Sequence, residues 1–162
     1  MKEKDSPIRL GIILLIISGI MGLILGGANY VTRDLIAEKK DAANKAAYAK
    51  VLPEGVDTGS LAPLDVPEEY ASTILEAYSA GGSGYAMRVS GKGYGGNVII
   101  AVGMTPEGIL TGVCVVEHSE TPGLGANASN ASFTDQFIGK SGVLTVVKGD
   151  ASEGQISAIS GA

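Results

Sequence analysis

A run of 23 uncharged residues near the N-terminus, Leu10–Thr32, is the strongest constraint on how this chain can fold. Eleven of its first sixteen residues are leucine or isoleucine. A helix of this length extends for roughly 34 Å, which is enough to cross the apolar core of a bilayer. The run is longer than the core of a typical signal peptide, although the small residues Gly26-Gly27-Ala28 leave cleavage as an alternative. The sequence therefore predicts a transmembrane helix.

Positive charges flank this run in equal number on its two sides. Orientation in a membrane follows the excess of lysine and arginine in the flank that stays in the cytoplasm. The charges alone therefore leave the orientation open. They are Lys2, Lys4 and Arg9 before the run, and Arg33, Lys39 and Lys40 after it.

The segment that follows the run, Arg33–Lys50, is rich in Ala, Lys and Glu and contains no Gly or Pro. This composition predicts that the helix continues as a stalk. We expect it to end at Val51-Leu52-Pro53, because a proline disfavours helix in the residue before it. The predicted organisation is an anchor over residues 1–32, a stalk over 33–53 and a domain over 54–162.

The pattern of the domain changes to short apolar runs separated by Gly, Ser and Pro, which is typical of antiparallel strands. Thr105-Pro106-Glu107-Gly108 has the composition of a turn and predicts a hairpin. The fold class predicted is α+β, a small antiparallel sheet with short helices. The predicted strands are Ile74–Ala80, Gly84–Ser90, Asn97–Met104, Ile109–Glu117 and Val143–Lys148, with a short helix at Ser132–Ile138, a loop at Glu54–Glu69 and a loop or helix start at Gln155–Ala162.

Composition excludes several classes of function. With 12 Lys+Arg against 17 Asp+Glu, the chain has no basic patch of the kind that nucleic acids need. Cys114 is the only cysteine and His118 the only histidine, so neither a zinc site nor an iron–sulfur cluster is expected. Cys114 lies in an apolar strand and is predicted to be a buried thiol.

Three glycine-containing stretches stand next to predicted strands and could meet at one edge of the sheet. They are Gly91–Gly96, Glu117–Gly125 and Ser160–Ala162. Glycines allow backbone N–H groups to approach a flat or anionic ligand closely. Ordinary tight turns remain the alternative interpretation of each stretch taken alone.

In combination, Tyr94-Gly95-Gly96, Glu120–Gly125 and Ile159–Ala162 resemble the motifs of a known FMN-binding domain family. The family is shared by the G subunit of the Rnf electron transport complex and the C subunit of the Na⁺-translocating NADH:quinone oxidoreductase. His118 and the short length make the chain more similar to the Rnf protein. The resemblance assigns cofactor binding to Tyr94, Gly95, Gly96, Glu120, Thr121, Pro122, Gly123, Leu124, Gly125, Ser160, Gly161 and Ala162.

The resemblance implies an electron relay without catalytic residues of its own. FMN would be joined through its phosphate to a threonine in Ser-Gly-Ala-Thr by a separate flavin transferase. Ser160, Gly161 and Ala162 match the first three positions, and the threonine is expected just after Ala162. The flavin would pass electrons between the other membrane subunits of an ion-translocating ferredoxin:NAD oxidoreductase. The domain would lie on the outer side of the cytoplasmic membrane, with the anchor in the lipid bilayer.

Two other functions remain open for this sequence. The domain could bind FMN without a covalent bond, or it could be a structural component of an assembly. Glu120 likewise has two interpretations, as a carboxylate that caps its turn or as a charge that tunes the flavin. For Thr121 and His118 we expect structural roles, in the turn and at the strand end.

Overall fold

The computed structural model describes residues 7–159, so Ser160, Gly161 and Ala162 of the predicted motif lie outside the described residues. Within this range one long helix precedes a five-stranded antiparallel sheet, short helices and a two-stranded parallel sheet. The predicted α+β class is confirmed. The chain forms two compact units, residues 1–41 and 42–162.

Helix α1, Pro7–Val51, joins the predicted anchor and the predicted stalk in one continuous element. It ends at Val51, two residues before Pro53, as expected. In the first unit its apolar side chains are exposed, with Leu23 at 78% and Leu25 at 69%. By length and composition the helix is a candidate membrane span.

The five strands follow one another in the sheet in chain order, β1-β2-β3-β4-β5, and each pair is antiparallel. The predicted hairpin is confirmed, because the Thr105 N–H donates to the Ile109 carbonyl at 2.8 Å. Gly108 closes its turn with φ +83°, a value that favours glycine. The strands are β1 Ala62–Leu64, β2 Ile74–Ser79, β3 Tyr85–Lys92, β4 Asn97–Met104 and β5 Leu110–Glu117.

Two short strands were wrongly predicted as irregular structure. Strand β1 lies inside the predicted loop, where Pro63 is tolerated because β1 is an edge strand. Strand β7, Gln155–Ser157, pairs in parallel with β6, Thr145–Val147, rather than forming a loop or a helix start. Each has three residues, too few to show an alternating pattern.

The predicted helix at Ser132–Ile138 is present as α2, Ala131–Thr134, followed by a 3₁₀ helix, Asp135–Phe137. Cys114 lies on β5 as expected, but it is half-buried rather than buried. It packs at the margin of the core, where the sheet meets the end of α1.

The core of the second unit forms where the last turns of α1 lie on the sheet. Gly103 of β4 and Gly112 of β5 stand opposite each other beneath Val51. A Cβ atom on Gly103 would overlap the Val51 carbonyl oxygen, and one on Gly112 would lie 2.8 Å from the Val51 Cα. The Thr111 hydroxyl donates to the same carbonyl at 2.5 Å, which satisfies an end-of-helix acceptor. The buried apolar side chains of this cluster are Ala47, Tyr48, Val51, Leu52, Ala86 and Ala101.

A polar cluster fixes the same helix end to β2 and β3. The Tyr48 hydroxyl donates to Glu76 at 3.2 Å, and Glu76 also pairs with Arg88 at 2.6 Å. Burial raises the pKa of Tyr48 above its ordinary value, and the nearby Glu76 carboxylate raises it further. The hydroxyl therefore keeps its proton and remains a donor to Glu76 at neutral and mildly alkaline pH.

Replacing Gly103 tests the contact between α1 and the sheet. Gly103→Ala places a methyl group against the Val51 backbone, which cannot move away without lifting the helix end. We expect a loss of about 1–3 kcal/mol in the free energy of unfolding, measured by urea denaturation of the detergent-solubilised protein.

The matched control is Gly91→Ala on β3, where a Cβ atom meets nothing within 4 Å. Its unfolding midpoint should equal or slightly exceed that of the wild type, because alanine restricts the unfolded chain. Equal midpoints for Gly103→Ala and Gly91→Ala would contradict the predicted contact.

Candidate functional site

Two of the three glycine stretches meet at one end of the sheet, and the third, Ser160–Ala162, lies outside the described residues. The turn between β3 and β4 contains Gly93–Gly96, and the segment after β5 begins at His118. Neighbouring strands are antiparallel, so β3 and β5 end at the same end of the sheet at which β4 begins. The sheet topology therefore brings together segments separated by about 25 residues of sequence.

Glu120 connects these two segments. Its Oε1 atom accepts a hydrogen bond from the Gly95 N–H at 3.0 Å. A Cβ atom on Gly93 would overlap Oε1, and one on Gly125 would overlap Oε2. Glycine at both positions leaves room for the carboxylate between the turn and the loop. The hydrogen bond from Gly95 therefore supports the interpretation of Glu120 as a carboxylate that caps the turn.

His118 stabilises the start of the second segment. Its Nδ1 atom accepts a hydrogen bond from the Glu120 N–H at 3.2 Å. This contact orients the backbone from which the Glu120 side chain extends. It agrees with the structural role expected for His118.

A cavity of about 520 Å³, here called the hairpin cavity, lies between the two segments. Apolar side chains from β4 and from the loop after β5 form much of its wall, and Lys92 and Glu120 add charges of opposite sign. Tyr94 is 99% exposed at its rim. The lining residues are Lys92, Gly93, Tyr94, Val98, Glu120, Thr121, Leu124, Gly125, Ala128 and Ile159.

Five of the predicted cofactor-binding residues line this cavity: Tyr94, Glu120, Thr121, Leu124 and Gly125. The other predicted residues that the structure describes belong to the same two segments and shape their backbone. Gly95 supplies the N–H bound by Glu120, and Gly96 and Gly123 have φ values of +148° and +78°. Pro122 precedes Gly123 in the same turn.

Sequence reasoning missed five lining residues. Lys92 and Gly93 belong to the first glycine stretch but were not assigned to the site. Val98 and Ala128 gave no signal, because apolar residues on a strand or a short helix are usually core residues. Ile159 belongs to a stretch that carries the family resemblance, but it was not assigned to the site. Ile159 directly precedes the predicted Ser160–Ala162 motif.

No group of three His, Cys, Asp or Glu side chains within residues 7–159 could hold a metal ion. The arrangement at the hairpin cavity suits a flat, largely apolar ligand with polar edges. It offers an apolar wall and two charged side chains of opposite sign.

Comparisons with known proteins identify the family. The model of the FMN-binding domain matches residues 93–162. The G subunit of the Na(+)-translocating ferredoxin:NAD(+) oxidoreductase complex of Acetobacterium woodii is 38% identical over 94% of this chain and 81% of its own length. The chain belongs to the family of G subunits of ion-translocating (Rnf) oxidoreductase complexes.

Other members of this family support the assignment. The G subunit of the proton-translocating ferredoxin:NAD(+) oxidoreductase complex of Clostridium ljungdahlii is 33% identical over 99% of this chain and 84% of its own length. The G subunit of the ion-translocating oxidoreductase complex of Cereibacter sphaeroides is 32% identical over 85% of this chain and 66% of its own length. The predicted family is thereby confirmed. The domain match begins at Gly93, so both segments of the hairpin cavity lie largely within the FMN-binding domain.

Two substitutions of Glu120 test how the cavity is held together. Glu120→Ala removes the acceptor for the Gly95 N–H, whereas Glu120→Gln keeps an oxygen that can accept it. We expect amide hydrogen exchange of Gly95 to become about tenfold faster in the alanine variant, since a hydrogen bond contributes about 1 kcal/mol or more. The glutamine variant should stay near the wild-type rate.

The control is Glu107→Ala in the turn between β4 and β5, which should leave exchange in the β3–β4 turn unchanged. Unaltered exchange of Gly95 in Glu120→Ala would show that Glu120 does not hold the turn.

Proposed function

We propose that this protein is the electron-relay component of a membrane-bound, ion-translocating ferredoxin:NAD(+) oxidoreductase and that its FMN occupies the hairpin cavity. The observation that carries the proposal is the cavity itself. It is built by two glycine segments of a chain whose residues 93–162 match the FMN-binding domain.

The cavity fits an isoalloxazine ring in size and chemistry. Its volume of about 520 Å³ lies within the usual range of small-molecule sites, about 300–1,000 Å³. Val98, Leu124 and Ala128 offer apolar contact. Bound FMN supplies the redox chemistry, and the protein supplies position and electrostatic environment.

The two charged side chains of the cavity have opposite effects on a ligand that becomes more negative when reduced. The Lys92 ammonium group favours the reduced form, whereas the Glu120 carboxylate disfavours it. The hydrogen bond from Gly95 holds the Glu120 charge in place. Tuning of the flavin by Glu120 is therefore part of the proposal.

The covalent bond is proposed at the threonine expected just after Ala162, with its hydroxyl joined to the FMN phosphate by a separate flavin transferase. Ile159 lines the cavity, and the threonine would follow it by four positions. Four residues reach at most roughly 14 Å, so the attachment point would stay close to the cavity. Non-covalent FMN is the second candidate, because a cavity of this size and chemistry could hold a flavin without a covalent bond.

The proposed location is the cytoplasmic membrane, with α1 in the lipid bilayer and the domain over residues 54–162 on the outer side. The length and exposed apolar surface of α1 support the anchor. Electrons would pass between this protein and the other membrane subunits of the complex. The names of the relatives, each a subunit of an oxidoreductase complex, support such an assembly.

Acid denaturation tests the cofactor and its attachment. We expect the full-length natural protein, produced together with a flavin transferase, to keep its yellow colour in the acid pellet and to show a mass increase of one FMN. A variant with alanine at the position after Ala162 is the control and should release its flavin. Flavin released from the wild type would support the non-covalent alternative, and a protein without flavin would contradict the proposed function.

A further inference from the structure

A second cavity lies beside the hairpin cavity, and the two share Ile159. The 3₁₀ helix Gly125–Ser129 contributes to both. Residues three apart lie on the same side of a 3₁₀ helix. Gly125 and Ala128 accordingly line the hairpin cavity, whereas Asn127 and the following Asn130 line the second cavity.

The second cavity, here called the carboxamide cavity, differs from the first in chemistry. It has a volume of about 340 Å³, and none of its lining side chains is charged. Three carboxamides and two hydroxyl groups dominate its wall. The lining residues are Asn127, Asn130, Ser132, Phe133, Gln136, Ser157, Ala158 and Ile159.

Hydrogen bonds within the protein hold the three carboxamides in position. Asn127 donates to the Gly123 carbonyl at 3.0 Å, and Asn130 donates to the Asn127 Oδ1 at 3.3 Å. The Gln136 Oε1 accepts from the Ser157 N–H at 2.7 Å. A carboxamide has two N–H donors, so each of these groups keeps a donor for a ligand.

We propose that the carboxamide cavity binds the ribityl phosphate of FMN while the ring lies in the hairpin cavity. The inference rests on the proposed function and adds a second subsite to it. The hydroxyl groups of a polyol need both donors and acceptors, which carboxamides supply together. A phosphate accepts N–H donors, and no lining carboxylate repels it.

The position of Ile159 between the two cavities indicates which part of FMN each cavity would hold. Ile159 contacts both cavities, and the next residue is Ser160, the first of the proposed attachment motif. A ring in the hairpin cavity would direct its ribityl chain past Ile159. The phosphate would then lie beside Ile159, the residue that precedes the proposed attachment motif in the sequence.

Binding of three flavins of increasing length to the detergent-solubilised 162-residue chain tests this inference. Lumiflavin has only the ring, riboflavin adds the ribityl chain, and FMN adds the phosphate. We expect affinity to rise in that order, measured by quenching of flavin fluorescence. In Asn130→Ala the ratio of FMN to lumiflavin affinity should fall about fivefold to tenfold, with lumiflavin affinity unchanged.

Asn130 is suited to this test because its side chain caps no helix N–H, so its loss should not unfold α2. Ser132→Ala is a second variant, expected to lower the ratio of riboflavin to lumiflavin affinity. Asn44→Ala, on a residue of α1 that lines neither cavity, is the matched control and should leave all ratios unchanged.

The outcomes separate this inference from the proposed function. Equal affinity of the wild type for FMN and lumiflavin would overturn the second subsite and leave the hairpin cavity as the ring site. A parallel loss of FMN and lumiflavin affinity in both cavity variants would also overturn it. Failure of all three flavins to bind the wild type would contradict the proposed function itself.

Discussion

The hydrogen bond from the Gly95 N–H to the Glu120 carboxylate is the interaction on which the candidate site depends. It joins a turn between two strands to a loop that follows the next strand. Gly93 and Gly125 leave the space that the carboxylate fills. Hydrogen bonds to a charged acceptor are stronger than those between neutral groups, so one side chain can position two glycine-containing segments. This contact therefore holds the two segments that form the walls of the hairpin cavity.

Strand β4 connects this site to the rigid part of the domain. Side chains alternate between the two faces of a strand, so Val98 and Gly103 lie on opposite faces. Val98 lines the hairpin cavity, and Gly103 contacts the backbone of Val51 at the end of α1. One face thus carries the helix contact, and Val98 on the other face lines the hairpin cavity. A residue on an interior strand of a sheet is held more firmly than one on a loop, so Val98 is a fixed part of the cavity wall.

Local sequence signals predicted the elements that are long enough to show a pattern. The apolar run located α1, and the turn at Thr105–Gly108 located the β4–β5 hairpin. Strand β7 could not be predicted, because three residues show no alternation and its parallel partner β6 is joined to it by a short loop without a hairpin signal. The glycine motifs located the site, but the contact between Gly95 and Glu120 spans 25 positions and follows only from the sheet topology. Val98 and Ala128 look like ordinary core residues in the sequence.

An NMR titration with FMN tests most directly whether the hairpin cavity is the flavin site. The protein is isotope-labelled and detergent-solubilised, and its backbone amide resonances are followed as FMN is added. The ring current of a bound isoalloxazine should shift the amides of Gly93, Leu124 and Ala128 most. The amides around Val51, on the opposite face of the sheet, should stay unchanged. Largest shifts around Val51, or no saturable shift at the hairpin cavity, would contradict the assignment of this cavity to FMN.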